Sequence, residues 1–176
     1  MITVEVKGLE RWIDACRKAP KQARDAMLFA VNDTGDRART QVVRTLGRQM
    51  GLPYGTVREG LRTKPATGSD LTYKIISEGG YLSLRSFDPQ QRRAGVSARP
   101  WGQRRLFRGT FIVRSLGGQV FRRTTRARFP IQKLWGPAMP MEMVREATPK
   151  AFEDTVSATL PKRLTYQLNR LLKKSR

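Results

Sequence analysis

The sequence predicts an α+β fold: a long N-terminal helix and a kinked C-terminal helix packed on a mostly antiparallel β-sheet, with a long basic loop. Three observations predict it. Apolar residues recur at helical spacing near both ends of the chain. Between them lies a stretch patterned with period two and punctuated by glycine and proline. The chain has 176 residues, 39% of them hydrophobic, which suits one domain with its own core, expected over residues 1–176.

The elements follow in order. ITVEV alternates and is β-rich, so a short first strand is expected, ended by Gly8. Leu9, Trp12, Ile13 and Cys16 then form a helical stripe, with Cys16 read as a buried, inert thiol. Pro20 interrupts that helix and suits the first turn of a longer one. Ala23, Met27, Ala30, Val31, Ala38, Val42 and Leu46 mark its apolar face as far as Gln49, and Arg24, Arg37, Arg39, Arg44 and Arg48 lie mainly off it. Gly35 costs about 1 kcal/mol relative to alanine in such a helix, which points to close packing or a bend. Gly51 stops the helix and Pro53 starts a short one, within which Thr56 and Glu59 have capping-box spacing.

Next, LTYKIISE and YLSLRSF flank Gly79–Gly80 and read as a hairpin. Residues 88–109 carry the proline, glycine and charge density of a long loop. GTFIVRS and QVFRRTT make a second hairpin, and RFPIQKLW a further strand that Pro130 confines to an edge or a bulge. On that strand Phe129, Ile131 and Leu134 are expected to face inward, and Phe111, Val113 and Val120 are core positions of the hairpin. Thr148 and Pro149 start a last helix, along which Phe152, Val156, Leu160, Leu164, Leu168 and Leu172 recur every four residues, with a kink at Pro161.

Charge is the outlier. There are 35 Lys+Arg against 14 Asp+Glu, a net +21, and 25 of the cations are arginine. Such a field attracts polyanions, and arginine's planar fork suits phosphate, carboxylate and aromatic partners. Between Asp88 and Glu142 there is no acid, while Arg92, Arg93, Arg99, Arg104, Arg105, Arg108, Arg114, Arg122, Arg123, Arg126, Arg128 and Lys133 fall there. A second basic run, from Lys162 to Arg176, closes the chain.

The same composition excludes much chemistry. Without histidine there is no Ser-His-Asp or Cys-His catalysis and no histidine ligand for a metal. A lone cysteine makes neither an intramolecular disulfide nor a structural zinc site. No P-loop or G-x-G-x-x-G is present, and no cofactor is expected. Glu5-Val6-Lys7 matches the end of a PD-(D/E)xK nuclease motif but lacks the upstream aspartate, and Asp33 and Asp36 have the spacing of ordinary helix surface. No uncharged run has membrane-spanning length and the N-terminus lacks a signal layout, so a reduced, cytoplasmically made chain without membrane contact is expected.

FDPQQRRAGVSA (residues 87–98), WGQRR (101–105), GTFI (109–112) and RFPIQKLWGP (128–137) carry a more specific signal. With VKGLERW and TLGRQMGLP near the N-terminus, they resemble the minor tail protein Z family of long-tailed bacteriophages and prophages, the tail-completion proteins, over essentially the whole chain. The resemblance implies a non-enzymatic virion protein at the head-proximal end of the tail, made in the host cytoplasm. It implies a ring of copies, sixfold to match the tail, around the DNA channel. The tail terminator, the head-tail connector and the tail tube or tape measure would be its neighbours, with non-specific contact to DNA.

Within that picture Arg92, Arg93, Arg104, Arg105, Arg122, Arg123, Arg126 and Arg128 are candidate channel or neighbour contacts. Trp101, Pro130, Trp135 and Pro137 are candidate subunit-interface residues. The alternative from another class is an intracellular, non-specific DNA- or RNA-binding protein, whose arginines neutralise phosphates and whose aromatics stack on bases. No helix-turn-helix, zinc finger or RNP motif accompanies that reading.

Overall fold

The computed structural model describes residues 20–145 and 147–174, with side chains as far as residue 170. The expected first strand, the stripe through Cys16 and the side chain of Leu172 lie outside the described residues. The α+β class holds. Helix α1 (Pro20–Met50) is followed by α2 (Tyr54–Glu59) and ten short strands, then by α3 (Met139–Met143) and α4 (Ala147–Lys174). The strands are β1 (Leu61–Lys64), β2 (Lys74–Ser77), β3 (Tyr81–Ser83), β4 (Gln90–Arg92), β5 (Gly95–Ala98), β6 (Arg105–Arg108), β7 (Thr110–Val113), β8 (Gln119–Arg123), β9 (Ile131–Lys133) and β10 (Trp135–Ala138).

The stripe on α1 forms as its spacing predicts: Ala23, Ala30, Ala38, Val42 and Leu46 are buried. Gly51, at φ +75°, ends the helix, and its amide donates to the Gly47 carbonyl at 2.9 Å. Glycine holds that left-handed conformation without the clash a Cβ would bring. Pro53 caps α2 with extended backbone and no side-chain bond, so the Thr56–Glu59 capping box does not form; Thr56 lies inside the helix.

Two compact units partition the chain. Among the described residues, one comprises 20–39, 63–74 and 153–174. There the Asn32 side-chain amide donates to the Ala66 carbonyl at 3.1 Å and accepts from the Ala66 amide at 2.8 Å. Asp33 pairs with Arg37 at 3.1 Å and Arg163 at 2.6 Å. Val156, Leu160, Leu164 and Leu168 of α4 are half-buried, and α4 continues past Pro161.

The other unit spans 40–62 and 75–152 and holds the core, centred on Val42, Val43, Leu46, Met50, Val57, Leu84, Phe87, Val96 and Val120. The expected single layer of sheet is replaced by small antiparallel sheets, ordered β10–β3, β4–β5–β6 and β7–β8–β9, and β1 and β2 make a further two-stranded sheet. Strands of three to five residues, broken by 3-10 turns and positive-φ glycines, are too short for one continuous layer.

Three local expectations change. The 88–109 interval, expected as a long loop, folds as the β4–β5–β6 meander with Val96 opposite Phe107. Its middle strand, Gly95–Ala98, is buried at every position, so burial replaces the alternation that marks a half-exposed strand. KIIS and YLS do not pair with each other. β3 instead joins β10, extended by the Leu84 amide donating to the Leu134 carbonyl at 3.2 Å. The β7–β8 hairpin forms as expected, with Phe111 opposite Phe121 and Val120 fully buried. β9 pairs with β8 at the sheet edge, and Pro130 immediately precedes it after a cis peptide. Phe129 departs from the inward expectation: it is 64% exposed, because the strand starts only at Ile131.

Candidate contact surface

The strands of the acid-free interval are β4–β10, all within the 40–62 and 75–152 unit. Val96, Ala98 and Val120 are buried in the core, and the arginines of the interval are exposed. Arg92, on edge strand β4, donates to the Gln90 side chain at 2.6 Å; Arg93 is exposed in the turn to β5. Arg104 pairs with Asp88 and reaches the Ser97 hydroxyl at 3.4 Å, so its charge is partly used inside the fold. Arg105 lies over the Trp101 ring, 5.7 Å from its centre.

Arg122 and Arg123 end β8, Arg123 standing 5.4 Å above Phe111. Arg126 and Arg128 are exposed on the connection to β9, with Arg128 over Phe129 at 5.7 Å. That connection is closed at its base, where the Thr124 amide and hydroxyl both donate to the Pro130 carbonyl, at 3.3 and 3.1 Å. The eight arginines therefore spread over two sheets rather than gathering at one point.

Three of the four interface candidates do converge. Trp101, Trp135 and Pro137, with Tyr81, Met141, Glu142 and Arg145, line a cleft of about 470 Å³. Trp101 and Trp135 are 43% and 54% exposed. Pro137 is buried in β10 and reaches the surface only through the cleft lining, so it offers no free-standing contact of its own. Pro130 is exposed but lies outside this cleft. Lys133 sits 4.1 Å above the Trp135 ring, a short cation–π distance.

Glu142 anchors the cleft. It is buried, with its carboxylate accepting from the Trp101 indole at 3.2 Å and the Gln49 amide at 3.2 Å. Gln49, in the last turn of α1, also donates to the Glu142 carbonyl at 3.0 Å and accepts from the Thr148 hydroxyl at 2.9 Å. This bonding holds Trp101 in left-handed backbone, φ +56° and ψ +30°, which costs a bulky residue about 1–2 kcal/mol. Strain of that kind persists where the surroundings fix it, here through the indole N–H.

Sequence reasoning missed Tyr81, Met141, Glu142 and Arg145. Glu142 had one visible signal: it is the first acid after the long basic interval. Among the described residues no group of acids or cysteine has the arrangement of a metal site. No described helix is long and apolar enough to cross a membrane.

Small sheets with exposed arginines and an aromatic cleft characterise this unit. The chain matches the family described as Prophage minor tail protein Z (GPZ) over residues 6–175, and it belongs to that family. It is a structural component of a phage tail. No curated protein and no solved structure matches it.

Proposed function

We propose that this chain, acting as a single tail-completion-like domain, forms a non-enzymatic ring at the head-proximal end of a long phage tail. The ring joins the tail terminator and tube to the head-tail connector around the DNA channel. Family membership over nearly the whole chain carries this reading. The exposed arginines of β4, β6 and β8 support it, because guanidinium groups on short, anchored strands hold phosphates regardless of base sequence. Sixfold copies, matching the tail, would present these arginines repeatedly to DNA or to neighbouring proteins.

The test is to purify nuclease-treated particles in high salt and quantify this chain by mass spectrometry against the tail-tube protein. A small, constant, ring-sized copy number is expected. Absence from finished particles together with abundance in the lysate would sink the reading and favour an intracellular nucleic-acid binder.

A further inference from the structure

The cleft at Trp101 and Trp135 has the chemistry of a guanidinium receptor. Its walls are the exposed rings of Tyr81, Trp101 and Trp135, and its lining includes the Glu142 carboxylate and one cation, Arg145. That carboxylate accepts hydrogen bonds from two neutral donors, and among the described residues no cation pairs with it. A buried carboxylate held only by neutral donors retains an attraction for a cation brought beside it. Aromatic faces around it favour a planar guanidinium over a hydrated ammonium. Two of the rings already take cations of their own chain, with Lys133 over Trp135 and Arg105 over Trp101.

The chain also carries a matching guest. The connection between β8 and β9 projects Arg126, Arg128 and the 64% exposed Phe129, without an acid among them. Its base is tied by the two Thr124 bonds to the Pro130 carbonyl. None of residues 122–130 lines the cleft of their own chain. We propose that this arginine tip of one copy inserts into the Tyr81–Trp101–Trp135–Glu142 cleft of the next, a head-to-tail contact between two different patches. Such a contact closes into a ring when the rotation per copy permits. The proposal deepens the ring reading and rests on it for the identity of the neighbour. The occupant is argued from the aromatic walls and the Glu142 carboxylate, with which the Arg145 that also lines the cleft forms no ion pair, and from a tip that supplies arginines with no acid of their own.

The experiment uses two full-length variants altered only at exposed positions. Arg126→Ala/Arg128→Ala removes the tip's charges, and Tyr81→Ala/Trp135→Ala removes the cleft's walls. Sedimentation velocity is recorded for wild type, for each variant and for their equimolar mixture, with circular dichroism to check folding. Wild type is expected to self-associate with rising concentration, and each variant alone to associate about tenfold more weakly or less. The mixture is expected to form a dimer and nothing larger, because only one intact tip and one intact cleft can meet. A monomeric wild type, folded variants that associate as wild type does, or a mixture that stays monomeric would each overturn the proposal. A ring-sized copy number in particles built with either variant would leave the ring reading standing while removing this contact from it.

Discussion

The ring of Tyr73 occupies the space where a side chain on Gly35 would stand: a Cβ there would lie 2.3 Å from Tyr73 Cγ. Alanine in place of a helical glycine ordinarily gains about 1 kcal/mol. Here the clash is with the root of a ring, which cannot swing aside. Gly35→Ala is therefore expected to lose about 1–3 kcal/mol, measured by urea unfolding. The same substitution in a Tyr73→Ala background should cost less, and an unchanged cost would show that the ring is not the obstacle.

Burial, aided by a 2.7 Å hydrogen bond to Asp36, pushes the Tyr73 phenol up to about 12. The folded value exceeds the unfolded one of ~10, so the fold favours the neutral phenol. Its contribution to stability is complete below the unfolded value and is lost as pH rises through about 12. A phenolate absorbance titration should show a late step near that pH, and Tyr73→Phe should abolish it.

Gly136 and Gly55 make a contrasting pair in the other unit. A Cβ on Gly136 would lie 2.5 Å from Phe87 Cε2, in the core, whereas one on Gly55 meets nothing within 4 Å. Gly136→Ala should lower stability by about 1–3 kcal/mol. Gly55→Ala, on the open face of α2, should leave it unchanged or raise it by up to about 1 kcal/mol. Chemical denaturation of the two variants side by side reads the difference.

The arginines divide by what they touch. Arg104, paired with a mostly exposed Asp88, should cost at most about 1 kcal/mol on replacement by alanine. Arg126→Ala/Arg128→Ala should change folding stability by no more than about 0.5 kcal/mol per site, since both are exposed. If their role is contact, the double variant loses incorporation into particles at unchanged thermal stability; a matching loss of both would assign them to the fold.

Long, periodic features were legible in the sequence. The stripe from Ala23 to Leu46 needs only local spacing, and Gly51 marks its end by a conformation few other residues adopt. The β7–β8 hairpin was readable for the same reason. The pairing of β3 with β10 was not, because its partner lies about fifty residues away and no local pattern encodes it. The meander over 88–109 was hidden by strands of three or four residues, one of them buried throughout. In the cleft, Trp101, Trp135 and Pro137 stood out as aromatic and proline-bearing positions. Glu142 and Tyr81 did not, because their importance comes from tertiary bonds to Trp101 and Gln49 and from a shared cleft.

The outer strands of the meander have a consequence for how this protein stays dispersed. In the order β4–β5–β6 the rims are β4, bearing Arg92, and β6, bearing Arg105 and Arg108. β9, a rim of the neighbouring sheet, carries Lys133. A second molecule approaching rim to rim would set cation against cation before any backbone bond formed, so fibre-like growth by strand addition is opposed at its first step. The rim arginines thus act as bumpers, and a polyanion that neutralised them outside the particle would be expected to provoke clumping.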